Sequence, residues 1–313
     1  MALRSLEICA GGGGQALGLE GAGFAHAVLV ERDAHACATL RHNRPQWRVV
    51  EGDLSAFDAR PFAGVDLVAG GVPCPPFSKA GKQLGAADER NLFPEALRVV
   101  RQVMPRAVMF ENVRGLLDPV FDDYRRWIEG QLRDVGFASE WKLLQAADHG
   151  VPQLRPRVVM VAMRRDSDSG FRWPLPSGPP PTVGDVLVEL MAAGGWAGAA
   201  TWARGAQQIA PTVVGGSHKH GGPDLGPTRA KRAWAALGVD AMVIGNAPPP
   251  PGHTGMPRLT VPMVARIQGF PADWQFVGRK THAYRQVGNA FPPPVARAVA
   301  MNIAVALAMH SHN

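Results

Sequence analysis

Short apolar runs alternate along the first half of the chain with segments whose apolar residues recur at helical spacing. The runs predict strands at residues 3–9, 27–30, 65–69, 107–110 and 157–163. Helical spacing predicts helices at residues 16–22, 33–42, 92–103, 261–268 and 292–308. Such alternation is typical of parallel strands joined by crossover helices. The pattern therefore predicts an α/β fold, in which ligands bind beyond the carboxyl ends of the strands.

The pattern changes near Arg172. The stretch that follows contains two proline-rich segments, residues 176–181 and 247–252, and its apolar residues show little periodicity. Three divisions are therefore expected: a catalytic and cofactor-binding domain at residues 1–171, a smaller irregular domain at 172–257, and a C-terminal segment at 258–313 that returns to the first domain.

Composition narrows the class of protein. The 313 residues are 46% hydrophobic and 19% charged, which allows a packed core and excludes a disordered chain. The net charge of +7 favours an anionic partner, nucleic acid first and a membrane surface second. No apolar run reaches the roughly 18 residues of a membrane span, and no signal peptide is evident. Cys9, Cys37 and Cys74 form no C-x-x-C pair, which argues against zinc and disulfides and favours a reducing cytoplasm.

Candidate chemistry centres on Cys74, which is held between prolines in the sequence VPCPPFS. Glu111 follows at a predicted strand end, and Arg155 and Arg157 follow in the sequence QLRPR. A rigidly held thiol, an acid and a pair of arginines are suited to covalent attack on a polar ring. A cysteine beside prolines is by itself usually a loop residue, so the ordered set carries the prediction.

A second group of residues suggests a nucleoside-bearing cofactor. The run Gly11–Gly14 follows a predicted strand and opens a helix, where glycine allows close backbone approach. Glu31 ends the next strand, where a carboxylate can accept two ribose hydroxyls, and Asp53 can accept from an adenine amino group. The glycine spacing fits G-x-G-x-x-G poorly, which disfavours a nicotinamide cofactor.

Taken together, these residues resemble the C5-cytosine-specific DNA methyltransferases of the bacterial and phage restriction–modification type. The blocks occur in the family's order: EICAGGGG at 7–14, PC at 73–74, ENV at 111–113, QLRPR at 153–157, RLT at 258–260, RIQGFP at 266–271 and QVGNA at 286–290. The gap at residues 172–257 falls where the family carries its target-recognition domain. The resemblance implies a Rossmann-like methyltransferase sheet and double-stranded DNA as substrate.

The resemblance also implies S-adenosylmethionine as methyl donor and S-adenosylhomocysteine as product. The implied cofactor-binding residues are Cys9, Ala10, Gly11, Gly13, Gly14, Glu31, Arg32, Asp53, Leu54, Leu92, Asn289 and Ala290. Two of these depart from the family. An aromatic residue is frequent at the position of Cys9, and an apolar residue is frequent at that of Arg32.

Catalytic roles follow from the same comparison and from the chemistry of cytosine. Carbon 5 is a poor nucleophile until a thiolate adds to carbon 6, and Cys74 is the predicted nucleophile. Glu111 is expected to donate to ring nitrogen 3, which requires burial to raise its pKa. Arg157, supported by Arg155, is expected to contact the base carbonyl oxygen. The implied bracing residues of the Cys74 loop are Pro73 and Asn112.

The target base must leave the duplex to reach the thiol. The predicted DNA-contacting residues are Ser78, Lys79, Lys82 and Gln83 in the loop after Cys74, and Arg229, Lys231 and Arg232 in the second domain. The loop is expected to close over the extruded base.

Three alternatives remain open from the sequence: an RNA cytosine-5 methyltransferase, a catalytically silent DNA-binding module and a nicotinamide oxidoreductase. The last leaves Cys74 and the arginines without a role. A cognate restriction endonuclease is a possible partner, and a monomer without metal is expected.

Overall fold

The computed structural model describes residues 2–73, 91–165, 170–215 and 223–309. Five predicted site residues lie outside the described residues: Cys74, Ser78, Lys79, Lys82 and Gln83. The residues that lead up to Cys74 are described as far as Pro73.

A seven-stranded sheet organises the described part of the chain. Its strands are β1 (Leu3–Ile8), β2 (Phe24–Glu31), β3 (Val49–Glu51), β4 (Leu67–Gly71), β5 (Ala107–Val113), β6 (Phe137–Gln145) and β7 (Pro156–Arg164). Their order across the sheet is β3-β2-β1-β4-β5-β7-β6. This arrangement confirms the predicted α/β class.

Strand direction corrects one expectation. The pairs among β1 to β5 are parallel, but β7 pairs antiparallel with both β5 and β6. Only residues 146–155 separate β6 from β7. A parallel crossover needs a dozen or more residues and usually a helix, so this short connection produces a reversed neighbour instead. The expectation of parallel strands is therefore wrong for β7.

Helices cover both faces of the sheet and form most of the regular structure after it. They are α1 (Gly14–Gly21), α2 (Ala34–Asn43), α3 (Phe93–Val103), α4 (Asp122–Arg133), α5 (Val183–Ala192), α6 (Ala199–Gly205), α7 (Thr228–Ala236), α8 (Val261–Ile267), α9 (Lys280–Asn289) and α10 (Pro293–Met309). The sequence pattern missed β6, α4 and α9, and it missed the three helices α5 to α7. β6 is mostly exposed or half-exposed and α6 has only seven residues, so their apolar patterns are weak. Helix α4 is amphipathic, with Ile128 and Leu132 buried, so its pattern was present in the sequence.

The core lies in two layers because successive side chains of a strand point to opposite faces. Leu6, Val68 and Phe110 face one side and pack with α3. Leu67 and Met109 face the other side and pack with α10. The central strands are thus buried on both faces, which is why they read as continuous apolar runs.

Residues 172–257, here called the middle segment, are more regular than predicted. Helices α5 to α7 enclose the fully buried Trp234. Thr182 caps the start of α5, where its side chain accepts from the Asp185 amide and the Asp185 carboxylate accepts from the Thr182 amide. The same buried cluster continues into α8 and α9 through Met263 and Tyr284. The domain boundaries themselves remain a prediction.

One stretch, Lys280–Met309, has the length and apolar composition of a membrane span. It consists of two helices, α9 and α10, and its most apolar window is 61% buried within the protein. Core helices have the same composition, so this stretch is weak evidence for a membrane span.

The contact of α1 with α10 generates a stability prediction. A Cβ at Gly18 would lie 2.4 Å from the Ala296 Cβ and 2.8 Å from the Pro293 carbonyl oxygen. Gly18→Ala is therefore expected to lower the free energy of unfolding by about 1–3 kcal/mol, as overpacking does. Urea unfolding measures this change.

Gly21→Ala, on the same helix, is the matched control. Its Cβ would meet only the flexible Arg297 side chain, 3.3 Å away, so a change within about 1 kcal/mol is expected. Equal destabilisation by both variants would contradict the close helix contact.

Candidate active site and cofactor cavity

A cavity of about 820 Å³ opens at the carboxyl edge of the sheet. It lies where the strand order changes direction between β1 and β4, which is where open α/β sheets bind ligands. Eleven of the twelve predicted cofactor residues line it: Cys9, Ala10, Gly11, Gly14, Glu31, Arg32, Asp53, Leu54, Leu92, Asn289 and Ala290. The glycine-rich turn and the acidic strand ends thus meet in one cavity.

Gly13 does not line the cavity. Its backbone is left-handed, with φ of 89°, and a Cβ there would lie 2.7 Å from the Trp274 ring. The residue is needed for the tight turn and for packing behind it. Gly14 is similarly enclosed, since its Cβ would lie 2.2 Å from the Phe291 carbonyl oxygen. Close packing behind the turn therefore holds the cavity wall.

Glu31 already has backbone partners. Its carboxylate accepts from the amides of Gly11, Arg32 and Asp33 at 2.7, 2.9 and 2.8 Å. These bonds hold the glycine turn against the end of β2. Each carboxylate oxygen has more than one lone pair, so acceptance from ribose hydroxyls remains a prediction compatible with the geometry.

Asp53 is oriented by Ser55. Its Oδ1 accepts from the Ser55 amide at 2.8 Å and from the Ser55 hydroxyl at 2.7 Å. These hydrogen bonds lower the pKa of the Asp53 carboxyl. The carboxylate is thus ionised at neutral pH and lies at the cavity wall, as the predicted adenine contact requires.

Cys9 combines strain with burial. Its φ is 52°, in the left-handed region that residues with a side chain rarely adopt. Burial, followed by the nearby Glu31 carboxylate, raises the pKa of its thiol to about 12. Cys9 is therefore a neutral wall of the cavity and not a competing nucleophile.

Glu7 and Gln15 are cavity residues that the sequence analysis missed. Glu7 is fully buried, and within the described part of the chain neither carboxylate oxygen has a hydrogen-bond partner. The same holds for both polar atoms of the Gln15 side chain. Burial, reinforced by Glu31, raises the pKa of Glu7 well above its usual value. The position of Glu7 near the end of β1, in the strand that leads into the glycine turn, was the available signal.

These unpaired groups allow a test of whether the cavity suits S-adenosylmethionine. The molecule carries an ammonium group, a carboxylate, a ribose diol and an adenine. The Glu7 carboxylate and the Gln15 amide are buried polar groups that lack partners, and such groups are costly until a ligand satisfies them. The Glu31 and Asp53 carboxylates line the same cavity. The polar groups of the cavity therefore fit this cofactor.

The candidate catalytic corner adjoins the same cavity. Glu111, at the end of β5, lines the cavity and forms an ion pair with Arg157, at 2.8 Å from Oε1 to Nε. Asn112 donates from Nδ2 to the Val72 carbonyl at 2.7 Å, two residues before Cys74. Pro73, the residue before Cys74, also lines the cavity. The acid, the arginine and the start of the cysteine loop are thus brought together.

The charge state of Glu111 depends on opposing effects. Burial raises the pKa of its carboxyl, while the guanidinium groups of Arg157 and Arg155 oppose the rise. The net direction is upward, as the sequence analysis expected. A carboxyl of this kind can hold a proton at a pH where an exposed glutamate is ionised.

Arg155 is fully buried, and among the described residues its guanidinium donates hydrogen bonds to backbone carbonyls. Its Nη1 donates to the Val213 carbonyl at 2.6 Å, and its Nη2 donates to Gly288 and Ala290 at 2.8 and 2.9 Å. Burial lowers the pKa of the guanidinium. This geometry favours the predicted supporting role and gives no path for direct contact with a base.

The predicted DNA-contacting residues of the middle segment lie together on α7. Arg229 and Arg232 are exposed and one helical turn apart. Lys231 is half-buried and forms an ion pair with Asp224 at 2.8 Å. Two of the three cations are thus exposed to a partner, while the third is engaged within the protein.

The strand order, the reversed β7 and the glycine-rich cavity define the class of S-adenosylmethionine-dependent methyltransferases. The family model described as C-5 cytosine-specific DNA methylase matches residues 3–304. The chain belongs to this family, and the predicted family, function and cofactor are confirmed. Its activity is methylation of DNA cytosine at carbon 5, with S-adenosylmethionine as methyl donor.

Curated relatives agree with this assignment. The Type II methyltransferase M.NaeI of Lentzea aerocolonigenes is 57% identical, covering 98% of this chain and 76% of the relative. M.NgoMIV of Neisseria gonorrhoeae, also a Type II methyltransferase, is 55% identical over 98% of this chain and 99% of its own length. The RNA and nicotinamide alternatives are therefore set aside.

Solved structures support the fold. A putative DNA modification methyltransferase encoded in an E. coli prophage matches with a TM-score of 0.70 at 22% identity, covering 98% of this chain and all of that one. A mutant of Spodoptera frugiperda DNMT2 matches with a TM-score of 0.70 at 17% identity, covering 97% of this chain and all of that one. At these identities the likeness concerns the fold alone.

Glu7 generates a pH-dependent prediction for the donor-free protein. Its folded-state pKa lies above the unfolded value, so the stability it contributes is present below the unfolded pKa and is lost as pH rises through the folded pKa. Glu7→Gln cannot ionise. The variant should therefore gain stability relative to the unaltered protein as pH rises, by about 1.4 kcal/mol for each unit of pKa difference.

Thermal unfolding between about pH 4 and pH 9 measures this difference. Any constant offset reflects the new amide itself, so only the slope with pH tests the prediction. A difference between the two proteins that does not change with pH would contradict a raised pKa for Glu7.

Proposed function

We propose that this methyltransferase acts on duplex DNA by transient covalent attack of the Cys74 thiolate on an extruded cytosine. Three contacts near the end of β4 carry the proposal: Asn112 donates to the Val72 carbonyl, Glu111 pairs in register with Gly71, and Arg157 forms an ion pair with Glu111. Val72 and Pro73 lead directly into Cys74. Glu111 and Pro73 also line the cofactor cavity. Target base and methyl donor would therefore meet beside the thiol.

The proposed reaction begins with attack of the Cys74 thiolate on the cytosine ring. The Cys74 sulfur donates an electron pair to cytosine carbon 6, and the ring double bond shifts its electrons to make carbon 5 nucleophilic. When bound, S-adenosylmethionine would supply the electrophilic methyl group that carbon 5 takes up, with S-adenosylhomocysteine as the leaving group. A base then removes the proton from carbon 5, the double bond re-forms, and the thiolate leaves carbon 6.

Glu111 and Arg157 lower the barrier to addition. The protonated Glu111 carboxyl donates to ring nitrogen 3, and its burial and raised pKa support that state. The Arg157 guanidinium stabilises negative charge on the base carbonyl oxygen. Asn112 holds the backbone that precedes Cys74, and Arg155 holds the surrounding backbone.

Residues of the cavity hold the donor in this proposal. Glu7 pairs with its ammonium group, Glu31 accepts from the ribose hydroxyls, and Asp53 accepts from the adenine amino group. Glu7 is buried without a partner among the described residues, Glu31 lines the cavity, and Asp53 is held at the cavity wall by Ser55. These observations support the three roles. The remaining predicted residues, including Asn289, shape the wall.

The biological setting is proposed from the relatives. Both M.NaeI and M.NgoMIV carry the name Type II methyltransferase, which supports a restriction–modification role with a cognate endonuclease. We propose a monomer in the cytoplasm that uses the middle segment to select its DNA sequence. Methylation-sensitive sequencing of DNA from cells that express the protein would identify that sequence.

The covalent role generates a trapping prediction. On a duplex with 5-fluorocytosine at the methylated site, and with S-adenosylmethionine present, the protein should form an adduct that survives denaturing electrophoresis. After methyl transfer, fluorine cannot leave carbon 5 as a cation, so the thiolate cannot be released. Cys74→Ser should abolish the adduct and turnover while DNA affinity stays close to that of the unaltered protein. Cys37→Ser is the control, since Cys37 is buried and hydrogen-bonds only to the Glu31 carbonyl in the described structure.

Loss of the adduct in the control, or its persistence in Cys74→Ser, would overturn the nucleophile assignment. DNA binding without an adduct or methylation by the unaltered protein would instead favour the catalytically silent alternative.

Helix α7 generates a prediction about DNA affinity. Arg229→Gln and Arg232→Gln should each reduce the slope of log affinity against log salt by about one, because each removes a phosphate contact. Lys231→Gln should change the slope less, since its ammonium is paired with Asp224.

Arg126→Gln, on α4, is the matched control. Its side chain is 70% exposed and forms an ion pair with Asp123, and both residues lie outside the middle segment. Duplex binding measured across a salt series separates the variants. A slope change in Arg126→Gln equal to that in the α7 variants would contradict a specific role for α7.

A further inference from the structure

Helix α9 lies between the middle segment and the cofactor cavity. Gln286 and Asn289, on this helix, line the cavity. Tyr284, on the same helix, is buried, and its hydroxyl donates to the Asp224 carbonyl of the middle segment at 2.6 Å. Lys280 donates to the Ile244 carbonyl of that segment at 2.8 Å. One short rigid element therefore contacts both binding regions.

A backbone contact reinforces this arrangement. Gly215 of the middle segment packs directly on Gly288, so that a Cβ on Gly288 would lie 2.3 Å from the Gly215 Cα. A Cβ on Gly215 would lie 2.3 Å from Asn289 Oδ1, in the cavity wall. No side chain separates the two segments here, so neither can shift without moving the other.

Buried polar side chains hold the same strip of middle segment in place. Arg155 bonds Val213 on one side and Gly288 and Ala290 on the other. Gln153, also fully buried, accepts from the Val213 amide at 2.8 Å. Because these groups are buried, breaking any of the bonds would leave polar atoms unpaired, which favours movement of the strip and the end of α9 as one unit.

The contacts extend towards the predicted DNA-contacting helix. Asp224, whose carbonyl accepts from Tyr284, also forms the ion pair with Lys231 on α7. Arg229 and Arg232 flank Lys231 on that helix. A continuous set of described contacts thus runs from α7 through Asp224 and α9 to the cavity wall.

We propose that α9 couples the two substrates, so that duplex binding by the middle segment and cofactor binding strengthen each other. Tyr284 and Gly215 are positioning residues in this coupling, because neither lines the cavity. Gly215 packs against Asn289, and Tyr284 joins α9 to Asp224 of the middle segment. The proposal rests on duplex DNA being bound through the middle segment. Such coupling is reciprocal, because the same free energy must appear in both affinities.

Calorimetric titration with S-adenosylhomocysteine, with and without duplex, measures the coupling. The duplex is one selected for binding from a mixed-sequence pool, so its choice does not depend on methylation. The unaltered protein should bind S-adenosylhomocysteine about fivefold or more tightly with duplex present, the lower end of common coupling factors. Duplex affinity should rise by the same factor when S-adenosylhomocysteine is present.

Two variants test the path. Tyr284→Phe removes one hydroxyl and keeps the ring, so it should fold, and Gly215→Ala displaces the Asn289 side chain. Both should reduce the coupling factor towards one. Gly205→Ala is the control in the middle segment, because its Cβ would meet nothing within 4 Å, and it should keep the full factor.

The outcomes are distinct. A coupling factor of one in the unaltered protein would overturn the proposal. So would variants that weaken S-adenosylhomocysteine binding equally with and without duplex, since that is the result of a structural role alone. Coupling without an adduct through Cys74 would overturn only the covalent mechanism, whereas absence of duplex binding would overturn both proposals.

Discussion

The reversed direction of β7 is the constraint on which the candidate active site depends. Antiparallel pairing with β5 sets Arg157 opposite Val113, beside Glu111. A strand of this length spans about 30 Å at roughly 3.3 Å per residue, so a parallel β7 would place Arg157 at the far edge of the sheet. Reversal therefore supplies the buried acid with its counter-charge next to the end of β4, three residues before Cys74 in the sequence.

Buried ionisable groups in this protein differ in whether a partner stabilises their charge. Arg155 is paired with three backbone carbonyls, and Glu111 is paired with Arg157. Glu7 has no hydrogen-bond partner among the described residues, and burial raises the pKa of its carboxyl. An unpaired buried carboxyl destabilises the folded chain, and that cost is recovered when a ligand supplies the missing partner. Local instability of this kind marks the cavity as a binding site.

The cofactor cavity is assembled from distant parts of the sequence. Its floor is the glycine turn after β1, and its far wall is the end of α9, where Asn289 and Ala290 lie. Trp274 donates to the Gly12 carbonyl at 3.1 Å and packs behind Gly13. The C-terminal elements thus close the cavity that the N-terminal strands begin. Because α9 also contacts the middle segment, one helix joins that segment to the cofactor cavity.

The sequence by itself determined the α/β class and the family, and it predicted most of the residues that line the cavity. Glycines and acids directly after apolar strands are local signals, and parallel strands bring their carboxyl ends to one edge. Only the tertiary structure decided the direction of β7, the burial of Arg155 and the isolation of Glu7. Strand direction depends on connection length and on neighbours distant in sequence, and burial depends on what packs over a residue. A glutamate in the sequence gives no sign of whether a partner will be nearby, so its ionisation is a property of the fold.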